Sequence, residues 1–453
     1  MDYLSVALSL VAVFVALYYF IASSQNLFKK HGIVHVPPTP LLGNMGSFIK
    51  RQITMADLII NAYQLDPKAK YVGFYEFLTP IIVLRDLDLI KVIAMKHVEH
   101  FPDHRPMVNR KVDSMLGGSL FIMNSDEWKY HRNILSPTFT SSKIKTMFKL
   151  MSECAIRFAE HLSNLPEDKR EMEMKDLLTR YTNDVIASCV YNASVDSIKE
   201  PNNMFYVYGK IGTSMATFKK SAMALVHRNA SRLAELLQLN ILDSHVAKFF
   251  HDQVAEQVET RQRTGARRPD FLQLLIDSNE KKEPGKELTV KQMANHAFSF
   301  FFGGFDSVSA QTCIAAHLLA ENPDVQERLQ REIDETLESN NGELTYDVLH
   351  EMKYLDAVIS EVLRLFPIAT SGAYMPFGLG PRMCIGNRFA LTEMKVLLCH
   401  VLAKCSIKIT PRTITPFQLE EGVINTTGKN GFWLAIEPRK SLSDVSASPV
   451  PCN

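Results

Sequence analysis

Cys384 stands in the stretch Pro376-Phe377-Gly378-Leu379-Gly380-Pro381-Arg382-Met383-Cys384-Ile385-Gly386, a glycine-bent loop directly ahead of an amphipathic helical pattern that runs from Ile385 to about Leu402. Gly378 and Gly380 permit backbone angles and close approaches that a side chain would forbid, so a flat macrocycle could lie against this loop. Pro381 stiffens the return. Near a helix N-terminus the dipole and the unpaired amides favour a cysteine thiolate, and iron would complete the deprotonation. Arg382 offers a fork of donors suited to a carboxylate, and Phe377 could shield the sulfur from water. Together these residues read as a haem site with Cys384 as the thiolate ligand of the iron and Arg382 on a haem propionate. Two other readings compete. A buried structural cysteine is among the commonest fates of a free thiol. A phosphate-cradling loop fails, because position 383 is Met where a dinucleotide fingerprint requires Gly, and no strand-like run feeds it.

Three further constellations lie upstream. Trp128 and Arg132 are one helical turn apart, so both can point toward one ligand, although such a pair is more often a surface cation stacked on an aromatic. Phe302-Gly303-Gly304-Phe305-Asp306-Ser307 lies inside a long, mostly apolar helical pattern from Lys291 to about Asn322. Two adjacent glycines cost helix stability and call for a packing or ligand reason; the plainer alternative is a glycine kink with a solvated Asp. A serine hydrolase fits worse, since the Gly-x-Ser-x-Gly elbow is absent. Glu361 and Arg364 share a helix face at i and i+3, which in isolation is a surface pair worth less than about 1 kcal/mol.

These residues need a large scaffold, and the chain supplies one. It has 453 residues, 46% of them hydrophobic, enough for two domains or one unusually large one. The formal net charge of +1 argues against a nucleic-acid partner, whose footprint is a basic surplus. Seven scattered cysteines in mostly apolar helical surroundings point to a reducing compartment. Tyr3 to Ala22 carries no charge, and a helix of about 20 residues spans a bilayer core of ~30 Å. With Asp2 before it and Lys29, Lys30 and His31 after it, the positive-inside rule puts the body of the chain in the cytoplasm. A cleaved signal peptide is the rival, but the basic n-region is missing and the apolar stretch is too long. A stiff segment, Val36-Pro37-Pro38-Thr39-Pro40, follows. Tyr71–Phe77 and Ile81–Leu84 read as short strands around a turn at Thr79-Pro80. Residues 202 to 263 read as helical, closing at the solvated linker Thr264-Gly265-Ala266-Arg267-Arg268. Within them the apolar run Leu236, Leu237, Leu239, Ile241 and Leu242 is either core or a lid that dips into a bilayer. Helices follow from Asn322 to Leu337 and from Tyr354 to Phe366.

The spacing Phe-x-x-Gly-x-Arg-x-Cys-x-Gly, met by Phe377, Gly380, Arg382, Cys384 and Gly386, resembles the haem loop of the cytochrome P-450 superfamily. The Trp128/Arg132 pair followed by Ser136-Pro137-Thr138-Phe139, the Gly303-Gly304 motif and Glu361-x-x-Arg364 stand in the order of that family's motifs, and resemble its insect and vertebrate drug-metabolising microsomal branch. The resemblance implies a mainly α cytochrome P-450 fold with a small β-sheet and an N-terminal transmembrane helix. It implies haem b, ligated by Cys384, with Trp128 and Arg132 on the propionates, and Asp306 and Ser307 managing protons where the family usually has Thr at the second position. It makes Glu361 and Arg364 a buried pair bracing the haem loop. The implied activity is monooxygenation of an apolar small molecule, a xenobiotic, with electrons from NADPH-cytochrome reductase and cytochrome b5 as a further partner. Lys129, His131, Arg388 and Lys395 are candidates to attract an acidic reductase surface. The implied location is the endoplasmic reticulum membrane, with the catalytic domain on the cytosolic side.

One departure is large. Where the family carries sheet strands, a meander and another arginine between the Glu-x-x-Arg helix and the haem loop, this chain has only Pro367 to Met375. Eleven residues, 365 to 375, could span at most roughly 35–40 Å, so the loop can still be reached, but the strands at 71–84 would lose partners and expose edges. The expected organisation is a membrane anchor at 1–25, a monooxygenase domain at 26–440 lacking a segment near 367–375, and a polar tail at 441–453. A splice form, a gene-model product or a degenerate member with impaired activity is the alternative reading.

Overall fold

The computed structural model describes residues 3–53, 55–214, 218–280, 287–367, 374–420 and 427–439. The chain gathers into two compact units. The shortened connection at 368–373 and the tail from 441 lie outside the described residues.

The first unit comprises Met1–Pro102, Ala369–Met383 and Glu420–Asn425. Its first helix, α1 (Tyr3–Ser24), covers the foreseen anchor without a break; among the described residues no helix is long and apolar enough to cross a membrane. Helix α2 (Met55–Gln64) packs beside strands β1 (Tyr71–Glu76) and β2 (Thr79–Leu84). The strands pair antiparallel from Tyr71 opposite Leu84 to Glu76 opposite Thr79. The turn therefore falls at Phe77-Leu78, with Phe77 at a φ of 55°, and not at Thr79-Pro80. Pro80 sits inside β2 opposite Tyr75, a position that edge strands tolerate because no ladder amide is needed there. Among the described residues β2 has no second ladder partner, while β1 is bridged on its other side by His35 and Gly43. Gly43 cannot be otherwise: a Cβ there would lie 2.4 Å from the Tyr75 carbonyl oxygen. Met45, Phe48, Leu58, Ala62 and Phe74 form this unit's apolar core.

The second unit is mainly helical. In chain order its principal helices are α3 (Ser125–Leu135), α4 (Ser141–Ser163), α5 (Met174–Tyr191), α6 (Met204–Thr213), α7 (Phe218–Asn229), α8 (Ser231–Leu236), α9 (Ser244–Thr264), α10 (Phe271–Glu280), α11 (Val290–Glu321), α12 (Pro323–Ser339), α13 (Lys353–Leu365) and α14 (Asn387–Lys404). The long foreseen pattern becomes α11, 32 residues, started by a capping box between Thr289 and Gln292, which satisfies two otherwise orphaned amides. Pro323 cannot continue α11 and instead opens α12. Helix α11 packs against α5 and α9, and α4 packs against α14. Phe250 of α9 meets Tyr191, Phe298 and Phe301 at ring distances of 5.6, 5.1 and 4.7 Å, contacts that add to simple apolar burial. A three-stranded antiparallel sheet, β3 (Glu171–Glu173), β4 (Cys405–Ile409) and β5 (Trp433–Pro438), has the order β3-β5-β4.

Only part of the apolar run at 236–242 is core. Leu236 and Leu237 are exposed, whereas Ile241 and Leu242 are buried. The linker after α9 is only partly solvated. Gly265 closes the helix at a φ of +68°, and Arg267 is exposed, but Arg268 turns inward to Asn192 and to the Ser188 hydroxyl. Just before it, Arg261 grips Asp270 with two hydrogen bonds, 2.9 and 2.5 Å, both side chains being almost wholly buried.

Candidate active site

Helix α11 is buried from Met293 to Phe298 and again from Val308 to His317, yet it opens between Ser299 and Ser307. The two glycines there have different reasons. A Cβ on Gly304 would lie 2.6 Å from Ile186 Cδ1 of α5, whereas one on Gly303 would meet nothing within 4 Å. Gly304 thus lets two helices approach, and Gly303 bares backbone toward open space. Ser299, Gly303 and Ser307 follow at intervals of four and so line one face. That is an opening in an otherwise closed helix, where a ligand could approach the backbone.

Asp306 and Ser307, foreseen as a joint proton route, face different neighbours. Asp306 Oδ1 is 2.8 Å from Lys175 Nζ of α5, and the same ammonium donates to the Asp306 carbonyl at 3.1 Å and to Ser309 Oγ at 2.7 Å. The Ser307 hydroxyl donates back to the Gly303 carbonyl. Such back-bonding holds the hydroxyl rotor without the methyl group that a Thr would add. Lys175 was invisible to sequence reasoning, because nothing local links it to a residue on a helix more than a hundred positions away.

Trp128 is buried and Arg132, one turn later on α3, is half-buried. Arg132 lies near enough to Cys384 for the two to interact electrostatically, and its guanidinium makes no hydrogen bond or ion pair among the described residues. Cys384 is exposed at its surface. Burial of its protein side nevertheless pushes the thiol above its ordinary pKa, and a hydrogen bond from the Gly386 amide and the Arg132 charge only partly offset this. The amide effect expected at the start of α14 is present, but burial outweighs it; a bound metal would favour the thiolate.

The boundary between the two units falls after Met383, so Phe377 and Arg382 belong to the first unit. Gly378 and Gly380 adopt φ of +79° and +76°, and a Cβ on Gly380 would lie 2.1 Å from the Ala94 carbonyl oxygen. The amides of Gly378 and Met383 donate to Met375 and Gly380 at 3.0 Å each, closing successive turns. Phe377 is half-buried. Arg382 Nε donates to the Pro102 carbonyl at 2.9 Å, so part of the fork expected on a propionate is committed to backbone.

Other expectations are corrected. Glu361 and Arg364 do form a forked pair, with bonds of 2.7 and 2.6 Å, but both side chains are more than half exposed; with the intervening segment short, they pair with each other at the surface and are not buried. Of the four cations proposed for a reductase surface, Lys129 and Arg388 are exposed. His131 is buried and bonded to His296 at 2.9 Å, and Lys395 is buried against Asp356. Sequence reasoning also passed over Glu393, wholly buried on α14 with neither carboxyl oxygen hydrogen-bonded among the described residues. Burial drives its pKa well above the usual range, which favours the neutral acid. A lone acid between the apolar residues of Phe389-Ala390-Leu391 and Val396-Leu397-Leu398 was the available signal.

The residues present suit haem. A cysteine ahead of a helix start, a guanidinium beside it with no hydrogen bond or ion pair among the described residues and an opened glycine face on the central helix are what a thiolate-ligated macrocycle bearing carboxylates requires. The family comparison agrees. The cytochrome P450 family model matches residues 35–373 and 369–434. The chain is 36% identical to cytochrome P450 9e2 of Blattella germanica, over 92% of this chain and 94% of that protein. It is 31% identical to cytochrome P450 9b2 of Drosophila melanogaster, over 97% and 100%, and 28% identical to cytochrome P450 6B2 of Helicoverpa armigera, over 95% and 97%. The chain belongs to the cytochrome P450 family. Its members bind haem through a cysteine thiolate, and membership makes this chain a haem-thiolate monooxygenase that takes electrons from a redox partner.

Proposed function

We propose that the chain is a microsomal monooxygenase acting on apolar foreign compounds, with Cys384 as the residue that would hold the haem iron through its thiolate. The observation that carries the site is Cys384 itself, accepting from the Gly386 amide and facing Arg132, a cation with no other partner among the described residues. Haem, when bound, supplies a redox-active iron that activates dioxygen for insertion of one oxygen atom into the substrate. Arg132 and Trp128 hold haem carboxylates, with Arg382 as a further cation toward them although its Nε donates to Pro102. Phe377 keeps water from the sulfur. Ser307, its hydroxyl on the Gly303 carbonyl at the open face of α11, is the group placed to pass a proton there, while Asp306 is held by Lys175 toward α5. The anchor at residues 1–25 rests on the sequence, where Tyr3 to Ala22 carries no charge, and would hold the chain in the endoplasmic reticulum membrane. The domain at 26–440 is then cytosolic, where NADPH-cytochrome reductase and cytochrome b5 reach it, with Lys129 and Arg388 as exposed cations for an acidic surface; 441–453 is a polar tail.

A reduced-plus-carbon-monoxide difference spectrum of the membrane-expressed full chain tests this reading. A Soret band typical of a thiolate-ligated ferrous complex is expected, and Cys384→Ala should abolish it. A band that survives Cys384→Ala would overturn the ligand assignment.

A second reading, a catalytically impaired product lacking an internal segment, has its own support. The family model matches in two pieces that meet at residues 369–373. The alignment with cytochrome P450 9e2 runs to 504 positions although the chain has only 453 residues. Glu361 and Arg364 stay at the surface. Folded protein that takes up no haem would favour this reading. Transcript sequencing across Pro367 to Tyr374 locates the cause: an uninterrupted message encoding the missing segment makes the short chain an artefact.

A further inference from the structure

The arm of the cysteine loop is braced by one short segment of the first unit. That segment passes from a single π-helical turn, Val92–Lys96, into a 3-10 turn, Val98–His100. It touches the loop at Ala94, whose carbonyl oxygen leaves no room for a Cβ on Gly380, and at Pro102, whose carbonyl accepts from Arg382. Between these two points project His97, Glu99 and His100, all exposed. Glu99 Oε1 lies 3.8 Å from His97 Nδ1 and 3.6 Å from His100 Nε2. The imidazoles stack with centroids 5.9 Å apart, and one donor atom from each residue lies within 4.8 Å of the others.

Bonds of about 2.0–2.2 Å in a tetrahedral zinc site put donor atoms roughly 3.3–3.6 Å apart. Glu99 already stands near that distance from both imidazoles, and rotation of exposed side chains supplies the rest. Two imidazoles and a carboxylate suit zinc and its neighbours, leaving a fourth position for water; calcium and magnesium prefer all-oxygen sites. We infer that His97, Glu99 and His100 form a three-ligand site for a divalent transition-metal cation, and that the bound cation stiffens the brace of the cysteine loop. The site is separate from the haem site and does not depend on the activity proposed above.

The test titrates the detergent-solubilised full chain with zinc, and with cobalt as a spectroscopic probe. One equivalent should bind without a thiolate-to-cobalt charge-transfer band, which separates this site from Cys384. His97→Ala and His100→Ala should each weaken binding by at least about tenfold, the scale at which even indirect supports of a ligand matter. Exchange of the Gly378 and Met383 amides should slow when zinc is added to the native chain and not in the doubly substituted one. Absence of binding by the native chain, or an equivalent retained by the double variant, would overturn the site. Binding that leaves those two amides unchanged would overturn the brace. All three side chains are exposed, and circular dichroism verifies that the variants fold.

Discussion

Lys175 Nζ stands 2.8 Å from Asp306 Oδ1 and also reaches the Asp306 carbonyl and the Ser309 hydroxyl. One ammonium therefore ties the acid of the open glycine segment, and the backbone beside it, to α5. Both side chains are partly exposed, 19% and 30%, so solvent screens the pair. Lys175→Met is expected to cost about 1–2 kcal/mol, below the ~3–5 kcal/mol of a fully buried pair. Urea unfolding of both single variants and of Lys175→Met/Asp306→Asn measures the coupling. A coupling energy below about 0.3 kcal/mol, within the additivity of distant sites, would contradict the pairing.

The two glycines of α11 should respond in opposite senses. Gly304→Ala drives a Cβ to 2.6 Å from Ile186 Cδ1, an overpacking cost of about 1–3 kcal/mol. Gly303→Ala meets nothing within 4 Å and removes the helix penalty of glycine, so it should stabilise by up to about 1 kcal/mol. The same methyl fills the opened face, so haem content or substrate-induced spectral change should fall while thermal stability rises. Parallel behaviour of the two variants would remove the argument for that opening.

Arg261 and Asp270 are 5% and 0% exposed. Removing one partner strands the other charge, so Arg261→Met should lose about 3–5 kcal/mol in denaturant unfolding. Arg261→Met/Asp270→Leu should recover much of that loss, because no lone charge remains. Equal losses in the single and double variants would show that packing and not charge governs the site.

His296 is wholly buried, and burial, reinforced by His131, lowers its pKa to about 3. Its folded value lies below the unfolded value of ~6.5. Its contribution to stability is therefore complete above pH ~6.5 and is lost, at about 1.4 kcal/mol per unit, as pH falls toward the folded pKa. Asp184 acts in the opposite sense, since burial pushes its carboxyl up to about 6; its contribution is complete below the ordinary carboxylate value and is lost as pH rises through about 6. His296→Gln should flatten the acid side of the stability profile between pH 6.5 and 4.5, roughly the span set by these values. An unchanged slope would mean that His296 takes up its proton without unfolding.

Spacing along the chain determined what was legible early. Trp128 and Arg132, Gly303 and Ser307, and the glycines around Cys384 act through intervals of a few residues, and hydrophobic period alone marked α11, α12, α13 and α14 to within a few positions. What those groups face was decided only by packing. Asp306 turned to Lys175, His131 to His296 and Lys395 to Asp356, because a side chain's partner is whichever group tertiary contact brings within about 3 Å. Glu361 and Arg364 show the same division. Their i and i+3 spacing ensured that they would meet, but burial depends on what lies above them, and among the described residues they remain more than half exposed. Local geometry is written in sequence intervals, whereas exposure and desolvation belong to the assembled fold, so the chemistry of Cys384 could be read from its loop, but the burial that raises its thiol pKa could not.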